Sequence, residues 1–311
     1  MLVGYSLHEP AIRRLVLLYR KPFNDEDKAL LPTTKEEERK QKIKEALQGY
    51  EELIPKLGEQ KYAQQNLEYR VARLLARAAE DDASQVEPAI EKLGKFKADH
   101  PDSWQLIPCA RLLAGLREQT GNAAAAQKIY EELAANEALP QEARQEFGLE
   151  EARFLIRGNQ HGEALKKLKD LRGNLQADDP RLARIDVYIA ACNAASGKSP
   201  DAEKQLKDMI AGKADNDAKA VACNALGDLH IRDGKAEDAF WDYLWVDVLY
   251  NQDREEHAKA LYQLSKLFIQ VKKDPTRADR CLERLITEKE FAGSPYQKLA
   301  AKDKQGATSN K

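Results

Sequence analysis

A short apolar motif recurs along the chain at nearly constant spacing, and this repeat restricts the fold more than any other feature of the sequence. Each copy has an alanine, a leucine or tyrosine four residues later, and a large apolar residue three residues after that. These steps place all three side chains on one face of a helix, and the alanine leaves room for a second helix to approach. The last six copies are 37 to 39 residues apart. The seven copies begin at Ala46, Ala89, Ala126, Ala164, Ala202, Ala239 and Ala278.

Turn residues separate the two helices of each predicted hairpin. In four copies they stand five residues before the alanine, at Gly121-Asn122, Asn159, Gly197-Lys198 and Gly234-Lys235. Glycine and asparagine accept the left-handed backbone that a tight helix-to-helix connection needs. A second amphipathic segment precedes each turn, and no alternating strand pattern competes with it. The sequence therefore predicts an all-α fold, an α-solenoid of about seven stacked antiparallel helical hairpins.

The charge balance limits the kinds of partner. The chain has 311 residues, with 50 Lys and Arg against 52 Asp and Glu, for a formal net charge of −2. This balance argues against binding nucleic acid through bulk positive charge, and we expect no nucleic-acid partner. Apolar residues make up 42% of the chain, which is enough for an extensive core and excludes wholesale disorder.

The sequence also carries an expectation about location. No stretch reaches the roughly 18 apolar residues of a membrane-spanning helix. The apolar run at residues 15–18 is too short for a signal peptide and stands between arginines. We therefore expect a soluble, cytoplasmic protein without a membrane span. If a leader has been lost from the N-terminus, the bacterial cell envelope or periplasm is the alternative.

The extent of the repeat sets the predicted domain boundaries. Residues 1–33 are expected to be an irregular segment, interrupted by three prolines, with one short helix at residues 9–20. The helical repeat domain spans residues 34–301. Residues 302–311 contain almost no apolar side chain, so we expect a flexible C-terminal tail there.

Two copies of the repeat carry a fuller set of shared residues. In one copy the set is Leu226, Gly227, His230, Gly234, Ala239 and Tyr243. In the next copy it is Leu264, Ser265, Phe268, Ala278 and Leu282. This set resembles the tetratricopeptide repeat (TPR) family over about residues 35–300, with a period a few residues longer than the family's. The resemblance implies a right-handed superhelix that acts as a partner-binding scaffold. The last two copies, through residues 291–296, resemble the bacterial branch found in cell-envelope assembly proteins.

No residue pattern indicates catalysis, a metal site or a cofactor. The five histidines lack metal-ligand spacing, and His230 is expected to be a hydrogen-bonded core residue. Acidic pairs adjoin helix starts or turns, where carboxylates favour the helix dipole. The cysteines form no CxxC pair and are expected to be buried, reduced thiols. They are Cys109, Cys192, Cys223 and Cys281. We therefore predict a protein that is not an enzyme and that binds no metal or cofactor.

Basic residues on the first helix of each hairpin are the first candidates for partner binding. In a helical-repeat array these helices line a concave groove. Their exposed positions are predicted to hold Arg111, Arg153, Arg157, Arg184 and Lys266. Guanidinium forks match carboxylates bidentately, so such a stripe would clamp an acidic, extended peptide. A solvated helix face with ion pairs four residues apart is the alternative.

The resemblance to the TPR family adds two candidates to this groove. The family's peptide-carboxylate clamp uses lysine and asparagine at defined positions. One of those positions holds Asn224 here, with Asp228 a turn later, and the lysine is absent.

Aromatic residues on the second helix of one hairpin form a separate candidate surface. Trp241 and Trp245 lie one turn apart, on a face next to that of Tyr243. If the following hairpin covers them, they belong to the core. If they are exposed, they would form a hot spot for a partner or for self-association.

Together these features predict a non-catalytic scaffold or adaptor that binds another protein or an extended peptide through its concave groove. Two alternatives stay open. A helical-repeat nucleic-acid binder would need a strongly basic groove. A helical appendage of an enzyme, with an unrecognised site, would need a closed pocket with several titratable groups.

Overall fold

The computed structural model describes residues 20–31, 33–197 and 201–309, and within them the only regular structure is helical. Three short 3₁₀ helices, Ile54–Leu57, Ala83–Gln85 and Lys289–Phe291, accompany fifteen α-helices in these residues. The α-helices are α1 (Arg20–Leu30), α2 (Glu36–Leu53), α3 (Lys61–Ala79), α4 (Val86–Asp99), α5 (Leu106–Gln119), α6 (Ala123–Ala134), α7 (Gln141–Arg157), α8 (His161–Gly173), α9 (Arg181–Ala195), α10 (Ala202–Ala211), α11 (Asn216–Arg232), α12 (Ala236–Leu249), α13 (Arg254–Gln270), α14 (Pro275–Thr287) and α15 (Pro295–Ser309).

The anchor alanines of the repeat all lie in the core. Each falls in an even-numbered helix from α2 to α14, and its side chain is at most 3% exposed. An alanine at this position brings the backbones of two helices close together, as the spacing predicts. The predicted all-α repeat of helical hairpins is therefore confirmed, and so is its register.

The turn residues adopt the backbone conformation that the sequence predicts. Gly121, Asn159, Gly197 and Gly234 have φ of 75°, 58°, 66° and 76°. A positive φ lets the chain reverse direction directly after a helix, and it is the conformation that glycine and asparagine tolerate best. Lys198, which follows Gly197, lies outside the described residues.

The TPR-like motif of α11 and α12 is explained by one close contact. A Cβ atom added to Gly227 would lie 2.5 Å from Cζ of Tyr243, so the tyrosine ring packs directly on the glycine backbone. Tyr243 is fully buried, and its hydroxyl donates a hydrogen bond to Asp228 at 2.7 Å. His230 is 2% exposed, and its Nδ1 lies 2.6 Å from Asp242 Oδ2, which confirms the expected core histidine.

The hairpins form two compact units, Met1–Arg117 and Glu118–Lys311, called unit 1 and unit 2 below. The division falls within the last turn of α5. The repeat gives no sign of it, because the step from Ala89 to Ala126 has the regular length. In unit 2 one apolar cluster joins α7 to α11, and a second joins α11 to α15.

The N-terminal segment differs from the expectation. Residues 9–19 of the predicted short helix lie outside the described residues, and the described helix is α1. Pro22 does not interrupt it, because it lies in the first turn, where the backbone N–H has no partner within the helix. The fully buried carboxylate of Glu26 in α1 accepts hydrogen bonds from Tyr50, Arg70 and Arg73, which fastens this helix to α2 and α3.

The C-terminal segment also differs from the expectation. The predicted flexible tail began at residue 302, but α15 continues to Ser309. Tyr262 donates a hydrogen bond to Asp303 at 3.0 Å, and Lys304 pairs with Asp279 at 3.2 Å. These contacts attach α15 to the rest of the unit, although the low apolar content of its C-terminal part predicts a frayed end.

Candidate partner-binding cavity

The odd-numbered helices of unit 2 surround a cavity of about 370 Å³. The C-terminal ends of α7 and α9 and the inner faces of α11 and α13 contribute to its wall. Small side chains give the wall its apolar character, and they are Ala123, Ala124, Ala191, Ala194, Ala195 and Ala225. A volume of this size lies at the lower end of ligand pockets, which run from roughly 300 to 1,000 Å³. We call this space the unit-2 cavity.

The same cavity is lined from both ends of unit 2. Gly121 precedes α6, the first complete helix of the unit, whereas Gly293, Tyr296 and Lys298 lie at the start of its last helix. The concave side of these repeats is therefore not an open groove. It is a partly enclosed space whose wall includes the beginning and the end of the unit.

An ionic cluster lies at one side of the cavity. Asp253, at the N-cap of α13, accepts hydrogen bonds from Arg153 and from Arg157, and both of its carboxylate oxygens lie 2.6 Å from Arg157 Nη2. Arg157 also donates to Glu118 at 3.1 Å. Asp253 is 8% exposed. Burial alone would raise its pKa, but the adjoining guanidiniums of Arg157 and Arg153 outweigh burial and hold its pKa well below the usual range.

The pKa of Glu118 shifts in the opposite direction from that of Asp253. Its carboxylate lines the cavity, and burial raises its pKa although Arg157 lies beside it. The desolvation of the charged form is therefore only partly offset by the guanidinium. Two carboxylates bound to one arginine thus have pKa values pushed apart, because Asp253 binds two guanidiniums and two backbone N–H groups whereas Glu118 binds one guanidinium.

Asn224 carries the most informative polar atom of the cavity. Its side chain is 1% exposed, and its Nδ2 donates to the carbonyl oxygen of Glu256 at 3.0 Å and to Oε2 of Glu256 at 2.7 Å. Its Oδ1 is buried and has no hydrogen-bond partner among the described residues. A buried amide oxygen without a partner costs about 1–3 kcal/mol relative to one that accepts a hydrogen bond.

A second cluster of polar side chains, on α8, α11 and α13, adjoins the cavity. Lys259 binds Asp228, which also accepts the hydroxyl of Tyr243. Burial alone would lower the pKa of Lys259, but the carboxylates of Asp228 and Glu256 outweigh it and raise that pKa. Burial and the Lys259 ammonium lower the pKa of His161, whose buried Nδ1 has no hydrogen-bond partner among the described residues.

The predicted basic stripe is only partly assembled. Arg153 and Arg157 lie side by side on α7, but their guanidiniums bind carboxylates of this same chain and their side chains are 17% and 19% exposed. Both side chains are thus less exposed than expected, because Asp253 at the N-cap of α13 binds them, although Arg157 still lines the cavity. Arg184 pairs with Asp215, the N-cap residue of α11, at 2.7 Å.

The remaining basic candidates lie at other exposed positions. Lys266 places its ammonium 4.0 Å from the centre of the Tyr262 ring, a cation–π contact on α13. Arg111 is exposed on α5 and belongs to unit 1. A role for any of the basic candidates in partner binding stays a prediction.

The aromatic candidates are at the surface. Trp241 and Trp245 are 50% and 52% exposed, so the alternative in which the next hairpin covers them does not hold. Val248 and Leu249, also on α12, are 61% and 45% exposed and extend the same apolar stripe. Lys272 contacts the Trp241 ring at 5.0 Å from its centre.

Sequence reasoning missed four residues of the cavity wall, Glu256, Lys259, His161 and Gly293, and it missed Asp253, which binds Arg157 beside the cavity. Asp253 had one signal, its position directly before a helix, but that signal indicates a cap and not a salt bridge. The described residues hold no group of three or more His, Cys, Asp or Glu side chains arranged for a metal ion. No helix in the described part of the chain has both the length and the apolarity needed to cross a bilayer.

Comparison with solved structures identifies the same kind of repeat. The chain is similar to a tetratricopeptide repeat protein from Parabacteroides merdae, with a TM-score of 0.62 and 13% identity over 94% of this chain and 97% of that one. It is also similar to the apo form of the quorum sensor NprR from B. thuringiensis, with a TM-score of 0.52 and 16% identity over 90% of this chain and 81% of that one. No protein-family model and no curated protein matches the sequence. The chain therefore has a TPR-like helical-repeat fold.

Proposed function

We propose that the protein is a non-catalytic interaction scaffold whose unit-2 cavity binds a short, extended peptide segment of a partner protein. One observation carries the proposal: Asn224, a residue of the wall of this partly enclosed cavity, has a buried Oδ1 without a hydrogen-bond partner among the described residues. A peptide backbone offers N–H donors at regular intervals, and one of them would satisfy this oxygen. The alanines of the wall leave room for small apolar side chains.

The charges of the cavity favour a peptide over a nucleic acid. Four acidic side chains line it, and four basic side chains balance them. The acids are Glu118, Asp228, Glu255 and Glu256, and the bases are Arg157, Arg232, Lys259 and Lys298. A site for phosphates would need an excess of basic groups, which this wall lacks. The strongly acidic partner that the arginine stripe suggested has less support, because Arg153, Arg157 and Arg184 already bind carboxylates of this chain.

The test is peptide display on the immobilised full-length protein. Peptides enriched on the parent are measured by fluorescence anisotropy against Asn224→Ala and against Asn216→Ala, which changes an exposed asparagine at the start of the same helix. We expect Asn224→Ala to weaken binding by about five- to 100-fold, the equivalent of one buried hydrogen bond. Asn216→Ala should bind like the parent.

Circular dichroism of each variant checks that the fold is intact. The proposal is wrong if the parent enriches no peptide, or if the enriched peptides bind the folded Asn224→Ala variant as tightly as they bind the parent. Binding that survives Asn224→Ala and is lost in Trp241→Ala would move the site to the exposed face of α12.

A further inference from the structure

The end of unit 2 packs against its beginning through a backbone contact that tolerates no side chain. A Cβ atom added to Gly293 would lie 1.9 Å from the carbonyl oxygen of Gln119. Gly293 has φ of 81°, and Gly121, directly beside it, has φ of 75°. A Cβ on Gly121 would lie 3.3 Å from the carbonyl oxygen of Gly293 and 2.8 Å from Nζ of Lys298. Gly293 is therefore needed for this approach, whereas a Cβ on Gly121 would displace only the lysine ammonium and crowd one carbonyl oxygen.

An ionic contact joins the same two parts of the unit. Arg153 and Arg157 stand on α7, in the first complete hairpin of unit 2, and Asp253 stands 100 and 96 residues later. The hydroxyl of Ser294, which is fully buried, donates to Glu255 at 2.8 Å. This bond ties the segment around Gly293 to the helix start that carries Asp253. We call the Gly293–Gln119 contact and the Asp253 ion pairs together the latch.

Part of the latch lies in the wall of the unit-2 cavity, because Gly293 is one of its lining residues. We call the boundary between the two parts of the unit that the latch joins the seam. Gly121 lines the cavity on one side of the seam, and Tyr296 and Lys298 line it on the other. Separating the two sides would remove part of the wall and open the space to solvent. The seam relies on a glycine contact and on ion pairs, whereas neighbouring hairpins bury continuous apolar surface in the two core clusters of unit 2. A contact that buries few apolar side chains opens locally at a lower free-energy cost than a packed core does.

We propose that the latch opens and closes the unit-2 cavity, and that a peptide bound in the cavity holds the latch closed. The identity of the ligand in this inference rests on the proposed function, whereas the opening motion rests on the contacts of the seam. A ligand that touches both sides of the seam binds the closed form better than the open form, so it shifts the population toward closure. In the absence of ligand, opening of the seam provides the route of entry.

The first experiment breaks the backbone contact and keeps a matched control. Gly293→Ala places a methyl group against the Gln119 carbonyl, whereas Gly234→Ala imposes nearly the same backbone strain, at φ of 76°, with nothing within 4 Å of the added carbon. Spin labels on Lys128→Cys and Lys302→Cys, two exposed positions in unit 2, report the distance across the seam. The native cysteines are all buried, so the labels attach to the introduced ones.

Double electron–electron resonance on the full chain then compares the variants. We expect a longer, broader distance distribution in Gly293→Ala and the parental distribution in Gly234→Ala. Adding the peptide enriched on the parent should restore the short distance in Gly293→Ala at high concentration. A distribution that is the same in Gly293→Ala and in Gly234→Ala would overturn the latch.

The second experiment measures access and needs no ligand. Ala225→Cys places a thiol on the cavity wall, and its reaction with a small uncharged maleimide reports opening. We expect the reaction to be about tenfold faster or more in Gly293→Ala than in Gly234→Ala, because overpacking against a fixed backbone atom shifts such an equilibrium by about one order of magnitude. Equal rates would overturn the latch.

A second variant distinguishes opening of the seam from local unfolding of α15. Asp253→Asn removes the ion pairs but keeps the oxygen that caps α13, and Asp274→Asn makes the same change at the cap of α14, whose partner Arg277 is 66% exposed. Faster labelling in Asp253→Asn alone would support the latch, and equal labelling would contradict it.

If the labelling rates fail to separate while peptide binding still depends on Asn224, the latch is wrong and the proposed function stands. If no peptide binds while the seam still opens, the proposed function is wrong and only the motion stands.

Discussion

Substitution of Asp253 by asparagine removes the ion pairs of the latch most cleanly, because asparagine can still cap α13 but carries no charge. As the N-cap of α13, Asp253 accepts hydrogen bonds from the backbone N–H groups of Glu255 and Glu256, both at 3.0 Å. Asparagine caps helices about as well as aspartate. It offers no charge to Arg153 and Arg157, however, and turns an N–H₂ group toward one of them. The substitution therefore tests the ion pairs with little disturbance of the helix start.

The expected loss can be worked from the contacts that remain. Removing one partner of a buried ion pair costs roughly 3–5 kcal/mol. Here Arg153 keeps Glu150 at 2.6 Å, and Arg157 keeps Glu118 at 3.1 Å and Glu256 at 3.6 Å. The guanidiniums also retain some contact with water. We therefore expect Asp253→Asn to lower the free energy of unfolding of unit 2 by about 2–3 kcal/mol, below the full value for an isolated buried pair.

The assay must report on unit 2 alone, because two compact units need not unfold together. Of the three tryptophans, Trp104 lies in unit 1 and Trp241 and Trp245 lie in unit 2. In a Trp104→Phe background, urea unfolding followed by fluorescence therefore monitors unit 2. The control is Asp274→Asn, whose ion pair is solvent-exposed and should contribute less than about 1 kcal/mol. A loss in Asp253→Asn no larger than that of the control would refute the reasoning.

The pH dependence of this difference provides an independent check. The folded-state pKa of Asp253 is lowered, so its contribution is fully present above the unfolded-state pKa of about 3.9. It is lost as the pH falls from there through the lowered folded value. The stability difference between the parent and Asp253→Asn should be constant between about pH 5 and pH 7 and should narrow below about pH 4. A difference that grows on acidification would contradict the assignment.

The remaining predictions concern the core. Ala202→Leu should destabilise unit 2 by about 1–3 kcal/mol in urea unfolding, whereas Ala211→Leu, at the exposed end of the same helix, should change stability by less than about 0.5 kcal/mol. Gly227→Ala should be destabilising by a similar 1–3 kcal/mol because its methyl group meets the Tyr243 ring, whereas Gly115→Ala, with nothing within 4 Å, should be neutral or stabilising. Burial raises the pKa of each cysteine thiol to about 12, so the native protein should not react with a thiol reagent at pH 8 and should release four thiols in urea. Reaction of the folded protein would contradict the burial.

The sequence predicts the parts of this fold that depend on neighbouring residues. The burial of the anchor alanines and the conformation of the turn glycines follow from spacings of less than one repeat, where the geometry of a single helix and its turn relates the residues. Burial of the four free cysteines follows in the same way, because each lies in a helix of the repeat. The exposure of Trp241 and Trp245 does not follow. Their face belongs to the core or to the surface according to how far the next hairpin covers it.

The two arginines of α7 show where local reasoning stops. Their spacing of four residues correctly places both guanidiniums on one face of the helix. What that face meets depends on how the intervening hairpins stack, and that stacking brings up Asp253 from about 100 positions away. The two arginines of α7, which the sequence assigns to partner binding, thus form ion pairs within the folded unit. The amide oxygen of Asn224, a polar atom of the cavity wall for which the described chain supplies no hydrogen-bond donor, is likewise a product of this stacking, and the spacing of the sequence gives no sign of it.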